Sequence, residues 1–443
     1  MKFSTLAKHF ESLEKTSSRL EMTRILAQVF EEATEAEIDK TCYLSLGRLV
    51  PAYANLEFNL AEKMVMRAIA QVTEKEVSEV TKYYKQLGDL GLVVVKLPQR
   101  KSTRGIKSVK EVYEKLRQIA EDSGTGSQER KVRGLAELFK SLDQISGKYV
   151  ARMVVGKLRL GFSDKTMIDA LSWMVKGDKS LRGELEAAYF VRADIGELAQ
   201  TIKRKGVNGV KSVSPTLGVP VMPALCQRLK SADEIIAKMG KVAVEPKFDG
   251  TRVAIHIRGK EFLRTFTRNL EESTAMFPEL KLAYKQVDAH EVILDSEAVG
   301  MDPKSGKWLS FQETMVRKRK HDVEETSRKV PLKFYVFDVL YKDGQSLLDE
   351  PLHKRRQILA AILRGLRPLQ LTEQIVTDKT EELREYHLRQ LQRGLEGVVV
   401  KRWEGAYVPG RREFNWVKCK EEEAAAGGLA DTLDCVVIGY YRG

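Results

Sequence analysis

Residues 243–252 read Ala243-Val244-Glu245-Pro246-Lys247-Phe248-Asp249-Gly250-Thr251-Arg252. An apolar run at 242–244 enters this stretch, and an alternating run at 253–257 leaves it. The pattern predicts two β-segments joined by a short polar loop, with Lys247 held at a strand end. A lysine can be a nucleophile only as the neutral amine, and free lysine at pH 7 is almost wholly ammonium. Burial, neighbouring cations or a metal must therefore favour the neutral form. Asp249 can orient the amine, and Gly250 can let the backbone approach a ligand. Lys-x-Asp-Gly fixes only three positions, which chance supplies roughly once in eight thousand starts. A surface hairpin with a solvated lysine fits these four residues equally, so the decision lies downstream.

Polar groups recur there at the ends of further β-type segments, which fall at 293–294, 334–340 and 397–401. Arg268-Asn269 follow Phe266-Thr267, Glu297 closes Ile293-Leu294-Asp295-Ser296-Glu297, and Phe337-Asp338 follow Phe334-Tyr335-Val336. Glu396-Gly397 precede Val398-Val399-Val400-Lys401, and Trp416-Val417-Lys418-Cys419-Lys420 alternates, so Lys418 and Lys420 share one strand face. Singly, each is an ordinary solvated charge or core aromatic. Together they form a nucleotide-and-metal set. Glu297 and Glu396 are hard oxygen ligands for Mg²⁺, and Mn²⁺ suits the same carboxylates. Lys418, Lys420, Arg252 and Arg268 can neutralise a triphosphate. Phe337 can stack on a base, and Glu245 can accept from an exocyclic amine.

In this order the six segments closely resemble the nucleotidyltransferase superfamily of ATP-dependent DNA ligases. The segment Leu158-Arg159-Leu160-Gly161-Phe162-Ser163-Asp164-Lys165 is similar to the DNA-binding domain of the archaeal and eukaryotic replicative type, also found in some bacteria. The resemblance spans essentially the whole chain. It implies that Lys247 is adenylylated, that Glu245 reads the adenine amine and that Phe337 stacks on adenine. It further implies that Arg252, Arg268 and Arg412 contact ribose or phosphates, that Glu297 and Glu396 bind metal or ribose, and that Lys418 and Lys420 act on the α-phosphate. The implied cycle is lysyl-AMP formation, AMP transfer to the 5′-phosphate of a nick, and attack by the 3′-hydroxyl. Other lysyl-nucleotide enzymes (RNA ligases, mRNA guanylyltransferases) and a non-catalytic duplex-binding clamp are the rival readings.

The rest of the chain is consistent with this. Its 443 residues exceed one ordinary core, so two or three domains are expected. A net charge of +13 favours a polyanionic partner, here nicked duplex DNA together with ATP. No apolar run reaches the ~18 residues of a membrane span, and no lysine-rich amphipathic helix suggests a membrane surface. Cys42, Cys226, Cys419 and Cys435 form no CxxC pair, so neither disulfides nor zinc are expected, and a cytoplasmic, nucleoid-associated location follows. Nothing calls for more than a monomer; a sliding clamp is a partner that the sequence does not read out.

The expected architecture is multidomain. An all-α DNA-binding domain covers 1–205, where Phe3, Leu6, Phe10 and Leu13, and later Leu135, Leu138, Phe139 and Leu142, recur at helical steps. Basic residues concentrate at its turns: Arg100, Lys101 and Arg104; Lys148, Arg152, Lys157 and Arg159; Lys203, Arg204 and Lys205. Around Gly156 to Gly161, with Ser163 or Asp164 as a helix cap, Lys157, Arg159 and the Gly161 backbone are candidate phosphate contacts. A linker rich in Pro and Gly covers 206–223. An α+β nucleotidyltransferase (adenylation) domain with antiparallel-rich sheets covers 224–420. Residues 421–443 are a linker and the start of an OB-fold domain. There the run from Asp431 to Tyr441 resembles that domain's first strand, and the chain stops at Gly443. The expectation is a chain truncated before most of the OB-fold, with slowed adenylylation.

Overall fold

The computed structural model describes residues 1–97, 107–318, 323–365 and 368–420, and leaves the side chains of Met315, Lys318 and Lys420 undescribed. Arg100, Lys101, Arg104, Cys435 and the run from Asp431 to Tyr441 lie outside the described residues. Two compact units emerge: 1–214 with 219–221, and 215–218 with the described residues from Met222 onward.

The first unit is helical, from Phe3–Glu14 to Asn208–Lys211. Phe3, Leu6, Phe10 and Leu13 are all fully buried, so the three- and four-residue spacing does mark the inward stripe of the first helix. Leu135, Leu138 and Phe139 are buried in the helix Ser127–Lys140, whereas Leu142 follows its end and is only partly covered. Side-chain caps start several helices. Ser108 and Glu111 close a reciprocal capping box, and Asp194 accepts from the amides of Gly196 and Glu197 while holding the hydroxyls of Tyr43 (2.6 Å) and Tyr53 (3.1 Å). The expected linker is partly committed to each unit. Gly218 donates to Nδ1 of His256 at 3.2 Å, and burial drives that imidazole down to about 3, leaving its ring neutral. Pro220 accepts from the Ala193 amide.

Eleven strands are described in the second unit. In chain order they are β1 (Leu225–Arg228), β2 (Val242–Pro246), β3 (Thr251–Arg258), β4 (Phe262–Thr267), β5 (Glu291–Gly300), β6 (Leu332–Lys342), β7 (Gln345–Ser346), β8 (Leu369–Leu371), β9 (Ile375–Thr377), β10 (Gly397–Arg402) and β11 (Arg412–Lys420). One sheet runs β1-β11-β10-β2-β9; the other runs β4-β3-β5-β6-β7, with β8 beside β6. Pairing is antiparallel except between β1 and β11 and between β6 and β8. The longer strands sit where apolar or alternating runs predict them. Short β1, β7, β8 and β9 carry too little pattern to be read.

The hairpin reading of the central stretch fails. Although consecutive, β2 and β3 belong to different sheets. Pro246, which has no N–H to give the ladder, ends β2 and releases the chain to cross over. Each sheet has its own core: the helices Ala232–Met239 and Thr380–Gln392 cover the first, and the turn Pro278–Gln286 with helix Leu352–Ile362 covers the second. Asp338, which follows Phe337, is structural. Arg355, buried like its partner, reaches both Asp338 oxygens at 2.7 and 3.0 Å and so ties helix Leu352–Ile362 to β6. Among the described residues, Cys42, Cys226 and Cys419 are not joined in disulfides, and the Cys419 sulfur lies 3.8 Å from Nδ1 of His387. No helix among the described residues is long and apolar enough to cross a membrane.

Candidate active site

The crossover loop 247–250 is pinned at every residue. The Lys247 amide donates to the Gly397 carbonyl at 2.9 Å. Phe248 stacks on Tyr335, centroids 4.1 Å apart and rings 17° from parallel, and meets Trp308 edge-on. Trp308 in turn donates to the Tyr335 hydroxyl at 2.8 Å. Asp249, expected to orient the lysine amine, instead accepts from the Phe311 amide at 2.9 Å. Gly250 is needed for close packing against the strand behind it. A Cβ there would lie 2.4 Å from the Ala298 carbonyl of β5. Aromatic stacking and these backbone anchors thus hold Lys247 on a rigid support, and its ammonium is hydrogen-bonded to the Glu396 carboxylate.

Lys247 lines a cavity of about 480 Å³ between the two sheets. Of the expected site residues, Glu245, Arg252, Arg268, Glu297 and Phe337 line it too. Glu396 reaches it through its bond to Lys247, and Lys418 lies opposite Val399, a lining residue on β10. Lys420 pairs with Gly397 along the strand, its side chain lying outside the described residues. Arg412 is exposed on β11, away from the cavity lining.

The charges here are partnered. Arg252, expected to neutralise phosphates, grips Asp295 with two nitrogens (3.0 and 2.6 Å), the Ala224 carbonyl (2.7 Å) and the Tyr407 hydroxyl (3.2 Å). Its guanidinium lies 5.5 and 5.4 Å from the Phe337 and Trp416 ring centroids, so it braces the aromatic wall. Arg268, exposed beside Asn269 at the end of β4, is the more open cation. Glu245 is almost fully buried and pairs with Lys401 at 2.7 Å. Burial pushes its carboxyl up, against the pull of Lys401 and Arg356. Glu297 is pushed up to about 8 by desolvation, which outweighs the attraction of Arg252, Lys247 and Arg268.

A carboxyl raised this far marks a place where added positive charge is welcome. Among the described residues no three His, Cys, Asp or Glu side chains cluster as a closed metal cage. Mg²⁺ is commonly held by one or two carboxylates together with substrate phosphates. Glu297 and Glu396 therefore fit as its protein ligands.

Lys401 and Trp416 also line the cavity, while Asp295 and Tyr407 hold its lining residue Arg252, and the sequence did not expose these roles. Lys401, Trp416 and Asp295 lie inside recognised segments. Tyr407 lies in a loop with no local signal.

In the helical unit, the segment 156–161 carries three left-handed backbone positions: Gly156, Arg159 and Gly161, with φ of +66°, +55° and +74°. Leu158 and Leu160 are buried while Lys157, Arg159 and Gly161 face solvent. Lys157 pairs with Glu62 at 2.7 Å, and Arg159 lies 3.9 Å from Asp89. Two cations expected at this turn are otherwise engaged: Lys148 binds Glu14, and buried Arg152 binds both Glu14 and Asp89. Ser163 precedes the helix Asp164–Lys176 without a side-chain cap, and Asp164 pairs with Arg48.

Two family profiles match this chain: "DNA ligase N terminus" over residues 2–172 and "ATP dependent DNA ligase domain" over residues 223–420. A probable DNA ligase of Dictyoglomus thermophilum is 40% identical over 444 residues, covering 100% of this chain and 75% of that one. A DNA ligase of Sulfolobus acidocaldarius is 36% identical over 459 residues, covering 100% and 76%. The solved structure of Pmar-Lig_PreS3 aligns with 94% of this chain and 78% of its own, at a TM-score of 0.51 and 18% identity, a likeness of fold.

Proposed function

Because the chain belongs to the ATP-dependent DNA ligase family, we propose that Lys247 is the residue that takes AMP from ATP and that the cavity around it is the adenylate site for nick sealing. One observation carries this reading: Lys247, the Glu245 carboxylate and the Phe337 ring line one cavity, which is a nucleophile, a base-edge acceptor and a base-stacking face. Nζ attacks the α-phosphorus, the N–P bond forms, and the P–O bond to pyrophosphate breaks. Glu396, already bonded to Nζ, holds the amine in position and is the acceptor within reach of its proton. AMP then passes to the 5′-phosphate of the nick, and the 3′-hydroxyl displaces it as the phosphodiester forms.

Arg268, Lys418 and Lys420 bear on the phosphates, with Arg412 a further candidate. Arg252 acts by fixing Phe337. Glu297 and Glu396 would hold Mg²⁺, or Mn²⁺, which when bound offsets phosphate charge. The helical unit holds the duplex without regard to sequence through Lys157, Arg159 and the Gly161 backbone. The three left-handed positions that project this loop support that role. On this reading the enzyme acts as a monomer at the cytoplasmic nucleoid, in replication, repair and recombination, and a sliding clamp is the partner class to test. RNA ligases and guanylyltransferases fit less well, because the N-terminal ligase profile matches here.

The test is a mass gain of one AMP after incubation with ATP and Mg²⁺, stable to alkali and lost in acid as a P–N bond is. Peptide mapping should find it on Lys247. Its appearance on any other residue would remove Lys247 from the mechanism.

A further inference from the structure

The ammonium of Lys401 stands where the two base-recognition surfaces of the cavity meet. Its Nζ lies 2.7 Å from Oε2 of Glu245 and 3.3 Å from the Phe337 carbonyl. It also stands 4.5 Å from the Phe337 ring centroid and 4.4 Å from that of Trp416. The side chain is 1% exposed and that of Glu245 3%. β10 carries Lys401 into this position opposite Ala243 of β2, so one lysine gathers groups from three separate stretches of chain.

A buried ion pair is poor evidence of a stabilising role, since well-packed apolar residues often serve as well. This pair also leaves an acceptor unsatisfied: Oε1 of Glu245 is buried and has no hydrogen-bond partner. Thr372 Oγ1, on the same cavity, is likewise buried without a partner. Orphaned polar atoms in a cavity wall are expensive unless a ligand supplies what they lack.

What Glu245 offers depends on its protonation. Ionised, it has acceptors only, which match the 6-amino group of adenine. Protonated, it gains a donor, which matches the 6-oxo group of guanine. Burial and Asp338 favour the protonated form; Lys401 and Arg356 oppose it.

We propose that Lys401 is the positioning and specificity-determining residue for the purine. It keeps Glu245 an acceptor, leaves Oε1 for the 6-amino group, and seats Phe337 for the base face. This rests on the reading above, in which Glu245 and Phe337 contact the base.

The experiment is equilibrium binding to the full chain without magnesium, so that no turnover occurs. The probes are ATP, purine riboside triphosphate (hydrogen at position 6) and GTP. Wild type should prefer ATP over both. Lys401→Met should cut the preference for ATP over purine riboside triphosphate by about 10- to 100-fold and relax the rejection of GTP, since the discriminating acceptor is lost. Lys401→Arg should keep most of the preference. Lys401→Gln, which retains a donor without the charge, should shift in the same direction as Lys401→Met and decides the matter if that variant does not fold. No preference in wild type would overturn the base-edge reading of Glu245 and this proposal with it. Preference in wild type and undiminished in folded Lys401→Met, or in Lys401→Gln standing in for it, would overturn the role of Lys401 alone. Loss of fold in both Lys401→Met and Lys401→Gln would also overturn it, since Lys401 would then be a strut of the core.

Discussion

The helical unit and the nucleotide cavity both depend on charge, and they handle it in opposite ways. Lys157 and Arg159, on the loop proposed to meet DNA, are 50% and 57% exposed, so either can leave its carboxylate neighbour for a phosphate. Lys401 and Glu245 in the cavity are 1% and 3% exposed, and each has an assigned partner because no water can stand in. A surface that must accept any duplex needs cations that can change partners. A pocket that must recognise one base needs charges that cannot. The helical unit keeps a buried network of its own, Arg152 with Glu14 and Asp89, beneath the loop, where the Arg152 carbonyl also accepts from the Lys157 amide at 2.8 Å.

The contrast breaks most sharply at Lys247. Lys247→Ala and Lys247→Arg should both abolish AMP attachment, the second because a guanidinium stays protonated, while sealing of a nick supplied already adenylylated survives. Gel assays of the two substrates measure this. Loss of sealing on the pre-adenylylated nick would mean that Lys247 serves more than the first step.

Next in size is the buried pair of the cavity. Asp295→Ala strands the Arg252 guanidinium and should destabilise this unit by about 3–5 kcal/mol. Urea unfolding followed by tryptophan fluorescence is the readout, since Trp308, Trp403 and Trp416 all lie in it. A change below about 1 kcal/mol would put the pair among the exchangeable surface interactions.

Two carboxyls, one in each unit, respond to pH with opposite signs. Glu14 feels burial, but bonds from Arg152, Lys148 and Tyr149 outweigh it and hold its carboxyl at about 2, against an ordinary 4.5. Its contribution is whole above pH 4.5 and drains as pH falls towards 2, because the unfolded chain binds the proton first. Glu297, pushed up to about 8, runs the other way: the native state holds the proton longer, so stability declines as pH rises from 4.5 to 8. Urea midpoints across pH should therefore lose part of their acid slope in Glu14→Gln and part of their decline between pH 4.5 and 8 in Glu297→Gln. An unaltered profile in either variant removes that group from the account.

The smallest effect belongs to the exchangeable surface. Reversing Lys157 and Arg159 to glutamate should weaken duplex binding uniformly across sequences. The slope of log affinity against log salt should flatten by about one for each phosphate left without its cation. Fluorescence anisotropy over a salt series reads it. Unchanged affinity and slope would take the loop off the DNA.

Much of this was legible along the chain. The stripe of Phe3, Leu6, Phe10 and Leu13 predicts a buried helical face, and the apolar runs near Lys247, Glu297, Phe337 and Glu396 predict strands that carry chemistry at their ends. Those signals are local, carried by the periods of helix and strand. Partnership was not legible. No local pattern announces that Arg252 is held by Asp295 and Tyr407, or that Arg152 is buried with Glu14 and Asp89. Asp249 looks set to orient the amine, yet it anchors Phe311, 62 residues away.

The order of residues alone therefore dictates the longer elements and the candidate nucleophile, because periodicity and residue chemistry are properties of neighbours in the chain. Folding in three dimensions is what parts β2 and β3 into separate sheets at Pro246, opening the cavity between them. It is also what brings Glu396 to Lys247, and Lys401 to Glu245, Phe337 and Trp416. The pair of Lys401 with Glu245 stands where burial leaves a charge no water to fall back on. Which charges are buried together depends on contacts as distant in sequence as that of Lys247 with Glu396, 149 positions apart, and no local pattern records them.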